Sequence, residues 1–195
     1  MKQYFQENES LCTNEIQIRF SKFGHEFTFF SRRGLFSHDS VDVKSLILIE
    51  NIPRVEGKLL DLGCGYGVIG IILAKINRTV NLTGCDINRI AIGMAEKNAA
   101  VNGIEAKYFH SDCFENVDEL YDTIVLNPPI HAGKEVMYKM FKQAKDYLVS
   151  NGVFFIVIQK KHGAESSIRY LSEVYENCEV MYKKKGTYVV RCCNV

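Results

Sequence analysis

Four short stretches carry residue types and spacings suited to chemistry on a polar small molecule. The first is Asp61-Leu62-Gly63-Cys64-Gly65-Tyr66-Gly67. Alternating glycines let a backbone approach a ligand closely and aim its amides at it. The spacing is Gly-x-Gly-x-Gly behind an acid, unlike the dinucleotide fingerprint Gly-x-Gly-x-x-Gly, which needs no acid there. A carboxylate at that place suits an amino group or a sulfonium better than a pyrophosphate. A tight strand-to-helix turn without a ligand explains three alternating glycines poorly. The second stretch is Asp86-Ile87, with Asp86 23 residues after Gly63. Its carboxylate could accept both hydroxyls of a ribose, or simply cap a helix starting at Ile87. The third is Asp112-Cys113-Phe114. Asp112 could accept from an adenine amino group, with Cys113 and Phe114 as apolar or backbone contacts, or could be a solvated loop acid. The fourth is Asn127-Pro128-Pro129. Two prolines fix the backbone and leave carbonyls without competing amides. The Asn127 side-chain oxygen and the Pro128 carbonyl can then hold both protons of one planar amino group. That draws the nitrogen lone pair out of conjugation and aims it at an electrophile. The competing reading is a rigid Asn-Pro turn.

The surrounding pattern determines where these stretches sit. Glu15 to Phe20 and His25 to Phe29 alternate polar and apolar around Gly24, which predicts a hairpin. A loop over Arg33 to Ser37 follows, and Ser40 is placed to cap a helix ending near Ile49. From Gly57 on, strands alternate with helices. Strands are expected at Leu59–Leu62, Val80–Cys85, Ala106–His110, Thr123–Leu126 and Val153–Ile158. Helices are expected at Val68–Ile76, Ile87–Val101, Glu135–Val149 and Ala164–Tyr175, with Met137, Met140, Phe141, Ala144 and Leu148 facing inward from the third. Such alternation implies a parallel sheet covered on both faces. Glu179–Tyr182 and Thr187–Arg191 are joined by four residues, too few for a parallel crossover, so the sheet should end in an antiparallel hairpin. All four chemical stretches fall at C-terminal ends of consecutive strands, where open α/β sheets bind ligands.

Composition sets the bounds. A chain of 195 residues with 47% hydrophobic and 24% charged residues reads as one domain. The expected division is an N-terminal hairpin and helix over 1–53 and a core over 54–195. A net charge of +1 excludes nucleic-acid binding by bulk charge, though not by a local basic face. The seven cysteines include no Cys-x-x-Cys pair, which fits neither a zinc site nor a disulfide framework. No apolar run is long enough to span a bilayer. A reduced, cytoplasmic protein without a metal is therefore expected.

These residues resemble a class I S-adenosylmethionine-dependent methyltransferase. Asp61 to Gly67 is similar to that family's cofactor loop, Asp86 to its ribose acid and Asp112 to its adenine contact. Asn127-Pro128-Pro129-Ile130 is similar to the motif of amino-group methyltransferases. The resemblance implies a Rossmann-like seven-stranded sheet with an antiparallel last strand. It implies S-adenosylmethionine held by Asp61, Gly63, Cys64, Gly65, Gly67, Asp86, Ile87, Asp112, Cys113 and Asn127, and catalysis through Asn127, Pro128 and Pro129. Phe27-Thr28-Phe29, Gly34-Leu35-Phe36-Ser37, Asp42 and Leu46 to Glu50 resemble the ribosomal RNA small-subunit methyltransferase C group. So does Ile130-His131-Ala132-Gly133-Lys134. Those enzymes methylate guanine N2 in ribosomal RNA. The resemblance thus implies an RNA substrate met by Phe36, Ser37, Ile130, His131 and Lys134. Ile130 stands where many amino methyltransferases carry an aromatic residue. Larger members carry a second methyltransferase-like domain, for which this chain has no room.

His131 could remove a proton or simply contact RNA. Residues 160–195 hold seven Lys/Arg and four Glu. Lys183-Lys184-Lys185 lies between Tyr182 and Tyr188, which suggests phosphate contact and base stacking or, more simply, a soluble hairpin tip. Lys134 and Arg32-Arg33 flank the crevice and are the better-placed cations. Rival readings are a protein glutamine methyltransferase, a DNA adenine methyltransferase and an inactive cofactor-binding RNA scaffold. With little chain left for a separate RNA-reading domain, substrate choice falls to the hairpin, the loop after Ile130, local cations or a homodimer.

Overall fold

The protein is described by a computed structural model covering residues 15–35, 37–129 and 132–195. Two strands, β1 (Glu15–Lys22) and β2 (His25–Arg32), form the expected hairpin through Phe23-Gly24. Both central turn residues have positive φ (53° and 74°). That geometry matches the twist of the flanking strands and makes the glycine useful there. The next elements are α1 (Val43–Glu50), β3 (Gly57–Leu62), α2 (Val68–Ile76), β4 (Val80–Asp86) and α3 (Arg89–Val101). They are followed by β5 (Ala106–His110), β6 (Tyr121–Leu126), α4 (Lys134–Asp146), β7 (Leu148–Gln159), α5 (Ala164–Val174), β8 (Asn177–Lys184) and β9 (Thr187–Cys193).

Strands β3 to β9 form a seven-stranded sheet in the order β5-β4-β3-β6-β7-β9-β8. β9 runs antiparallel to both its neighbours, β7 and β8, and the other pairs are parallel. The chain lays β4 and β5 to one side of β3 and then returns to place β6 on the other. That reversal opens a crevice at the C-terminal edge. The strands are apolar on both faces, as a doubly covered sheet requires. Leu59, Phe155 and Val157 pack with α1, α2, α3 and β2, while Leu60, Leu62, Phe154 and Ile156 pack with α4 and α5.

The hairpin stays outside the large sheet and is fastened to it through α3. Asn98 and Asn102 are one helical turn apart. The Asn98 side-chain amide accepts from Phe30 N (2.7 Å) and donates to Phe30 O (2.9 Å). Asn102 does the same with Thr28 N (3.1 Å) and O (2.7 Å). Two residues along a strand and four along a helix both span about 6–7 Å, so two amides can mimic a ladder partner.

The sequence-based boundaries need several corrections. Asp42, not Ser40, caps α1: its backbone is extended and its Oδ2 accepts from Ser45 N at 3.0 Å. The Ser40 carbonyl instead accepts from Ser37 Oγ. Helix α3 starts at Arg89 behind an Asn88 cap. Leu148 opens β7 rather than closing α4. Cys178 and Cys192 are joined in a disulfide, because β8 and β9 set them directly opposite each other. Strand register brought them together, which spacing along the chain does not reveal. Cys64, Cys85, Cys113 and Cys193 are free. Among the described residues no helix is long and apolar enough to cross a membrane, and no cluster of three or more His, Cys, Asp or Glu could hold a metal.

Candidate active site

The loops after β3, β4, β5 and β6 line one cavity, roofed by Gly34, Leu35, Ser37, Asp42 and Ser45 and walled by α4. Ladder hydrogen bonds continue past the strand ends and hold the loops in place. Cys64 N donates to Cys85 O at 3.0 Å, and Ser111 N to Asp86 O at 3.0 Å.

The turn after β3 has Gly63 at φ 65° and Gly65 at φ 55°. A Cβ on Gly65 would meet nothing within 4 Å, so the backbone lies bare toward the cavity. Gly67 has another reason to be glycine. It precedes α2 at φ 90°, and a Cβ there would strike Ile71 Cδ1 at 2.8 Å. Asp61 lies below the loop rather than in the cavity. It is buried, and its Oδ2 accepts from Gly70 N at 2.8 Å, bracing the first turn of α2. Burial pushes its carboxyl up to about 7 against the opposing pull of that N–H.

Asp86 reaches the cavity with both oxygens engaged on one side. Oδ2 accepts from Gly65 N at 2.9 Å and Oδ1 from Asn88 N at 2.8 Å. Each oxygen keeps a further lone pair for a ligand hydroxyl. Burial raises its proton affinity, opposed by those backbone N–H groups. Asp86 therefore ties the glycine turn to β4, and the cap of α3 belongs to Asn88. Ile87, Asp112 and Cys113 complete this end of the cavity.

The other end holds Asn127, Pro128 and Pro129. Asn127 Nδ2 donates to Asp42 Oδ2 at 2.9 Å and to Ser45 Oγ at 3.0 Å. A carboxylate can only accept, so the amide must turn its NH2 toward Asp42. Its Oδ1 is thereby left as an acceptor for the cavity. Asp42 also lies 3.9 Å from Lys44 Nζ. The Tyr66 hydroxyl donates to Ser37 O at 3.1 Å and so pins the roof to the glycine turn. Three cysteines, Cys64, Cys85 and Cys113, line the cavity. Burial pushes the thiols of Cys85 and Cys113 up to about 12 and raises that of Cys64 as well. They are neutral at ordinary pH and serve as small apolar walls, not as nucleophiles.

The residues present fit S-adenosylmethionine. A bare backbone turn, a carboxylate with spare lone pairs and apolar walls from Ile87, Ala91, Cys113 and Met140 face a single cavity. The chain also matches the methyltransferase small domain family over residues 26–191. It belongs to that family. It is a class I S-adenosylmethionine-dependent methyltransferase of the ribosomal RNA small-subunit methyltransferase C type.

This methyltransferase is 40% identical over 197 residues to the Bacillus subtilis protein YbxB, covering 98% of each chain. It is 36% identical over 167 residues to the ribosomal RNA small subunit methyltransferase C of Vibrio vulnificus, covering 82% of this chain and 47% of that one. The solved Thermus thermophilus 16S rRNA N2 G1207 methyltransferase, bound to AdoMet and guanosine, superposes with a TM-score of 0.85 at 27% identity. That match covers 97% of this chain and 53% of the other. The methyltransferase thus spans about half the length of these two methyltransferase C relatives.

Sequence reasoning placed Ser37, Gly63, Cys64, Gly65, Asp86, Ile87, Asp112, Cys113, Asn127, Pro128 and Pro129 together, and all line the cavity. Asp61, Gly67 and Lys134 do not. Lys134 instead lies 4.9 Å from the Tyr138 ring, which stacks on Tyr170 at 4.2 Å. Arg32 is engaged by Glu15 at 3.2 Å. Phe36, Ile130 and His131 lie outside the described residues. Site roles for Asp42, Ser45 and Tyr66 escaped the sequence reading. An acid just before a helix is a visible cap signal, but its bond to Asn127 spans 85 residues.

Proposed function

We propose that this methyltransferase modifies the exocyclic N2 amine of a guanine in ribosomal RNA of the small subunit. One observation carries the reading: the Asn127 NH2 is held by Asp42 and Ser45, which commits its oxygen to the cavity beside Pro128. An amide oxygen and a neighbouring carbonyl form a pair of acceptors, matched to the two protons of a planar aromatic amine. The names of the similar Vibrio and Thermus enzymes support ribosomal RNA and guanine N2 as the substrate.

Bound S-adenosylmethionine supplies an electrophilic methyl group. At one end of the cavity Asp86 would accept from the ribose hydroxyls, Asp112 would accept from the adenine amine, and the bare Gly63–Gly65 backbone would border the cofactor. At the other end Asn127 Oδ1 and the Pro128 carbonyl accept the two amine protons. They draw the nitrogen lone pair out of the ring and orient it for in-line attack. The prolines hold this geometry before substrate arrives, so little ordering cost remains at the reaction. The nitrogen becomes acidic as it gains the methyl and releases one proton to solvent, the other staying hydrogen-bonded to these acceptors. A base in a paired region must leave its stack to enter such a site. The substrate places the enzyme in the cytoplasm, with the ribosome.

The test is a strain lacking the gene. Its ribosomal RNA, digested to nucleosides, should show less N2-methylguanosine than wild type, and the purified protein should restore it in vitro. Wild-type levels of every methylated guanosine would overturn the reading.

A further inference from the structure

Residues 160–195 look diffusely basic in sequence, but the fold sorts their charges by sheet edge. β7 runs toward the cavity edge and β9 returns antiparallel, with Gln159 opposite Thr187 and Val153 opposite Cys193. β8 pairs with β9 so that Lys184 is opposite Thr187 and Asn177 opposite Cys193. The tip at Lys183–Gly186 therefore stands on the edge that bears the cavity. A 3-10 turn at Lys160–His162 follows β7 there, and Lys160 N donates to Gly186 O at 2.7 Å. Lys160, Lys161, Lys183, Lys184 and Lys185 are all exposed along this edge. Among residues 160–195 the acid at this edge is Glu165, 3.5 Å from Lys160, and one carboxylate against five lysines leaves the edge positive. Glu173 and Glu176 are carried to the opposite edge by α5, and Glu179 faces Arg191 well down β9.

The tip is cationic rather than aromatic. Tyr188 is buried, and Lys183 rests 5.3 Å above its ring, so that ring cannot stack on a base as the sequence suggested. β8 lies three strands from β6, roughly 14 Å at about 4.8 Å per strand. A nucleic-acid strand with one base in the cavity can cover that distance within a few nucleotides.

We propose that the lysines of the β8–β9 tip and the turn after β7 form the docking surface for the phosphodiester strand that carries the target base. This rests on the RNA reading above and adds where the strand runs. Flexible ammonium groups act as point charges on phosphate, so the surface supplies affinity without reading sequence.

The full-length protein carrying K183Q, K184Q and K185N tests this, Asn being chosen because Lys185 has φ 49°. A second variant carries K160Q and K161Q. Labelled methyl transfer to small-subunit ribosomal RNA is followed against salt, with S-adenosylmethionine affinity measured separately. The triple variant should raise KM for RNA about 10- to 100-fold near 0.1 M salt and flatten the log–log salt slope by about 2. Its kcat and cofactor affinity should stay within about twofold of wild type. The double variant should shift KM in the same direction. Unchanged KM and slope in both variants, with an active wild type, would overturn the docking surface while leaving the substrate reading intact. A wild type that methylates no ribosomal RNA would overturn both.

Discussion

The two ends of the cavity are built in different ways. The Asp86 end is made from residues 63–113, mostly by backbone amides and strand-end turns, with Asp86 tying two adjacent loops together. The Asn127 end depends on side chains that meet across 82 and 85 residues, Ser45 and Asp42 on Asn127. The first end is secured by the sheet itself. The second is only as exact as the docking of α1. Cofactor binding and turnover should therefore fail separately.

The largest effect belongs to Asn127→Ala. It removes the proposed orienting acceptor and should lower kcat for methyl transfer by about 1,000-fold or more. Cofactor affinity by calorimetry should stay within about threefold. Loss of cofactor binding as well would break the comparison and make Asn127 a support of the cofactor end. Asp86→Ala should do the reverse, weakening S-adenosylmethionine about 50-fold, in keeping with charged hydrogen bonds worth about 1.5–3 kcal/mol. Its kcat at saturating cofactor should change less than about fivefold. The smallest effect is expected for Asp42, a positioning residue. Asp42→Ala should lower kcat about tenfold at unchanged cofactor affinity, and should cost about 1 kcal/mol of stability through the lost helix cap. Asp42→Asn keeps an acceptor oxygen and should recover most of that kcat. If it does not, the negative charge itself matters at this end.

The same division separates what the sequence revealed from what it hid. The glycine turn, Asp86 and Asn127-Pro128-Pro129 are local signals placed at strand ends by alternation, and their convergence could be read from the order of elements. The bonds from Asp42 and Ser45 to Asn127 could not, because nothing local distinguishes a helix cap that also holds a distant amide. Asp61 shows the converse limit. Its type and place suggested a ligand contact, yet its oxygen is taken up by Gly70 N below the turn. Asn98 falls within a helical stretch and Asn102 at its C-terminal cap, and nothing local shows that both are buried against the hairpin. The charge separation over residues 160–195 required the β7–β9–β8 register, which a net charge averages away.

The clasp of Asn98 and Asn102 on Phe30 and Thr28 bears on how the chain folds. The β1–β2 hairpin closes between near neighbours and can form early. Its attachment joins residues 68 to 74 positions apart and carries a larger loop-closure cost than the hairpin itself. Strand β2 leads directly into the roof segment that contains Ser37, Asp42 and Ser45. The Asn127 end therefore depends on contacts that join distant parts of the chain, both within the cavity and at the clasp behind it.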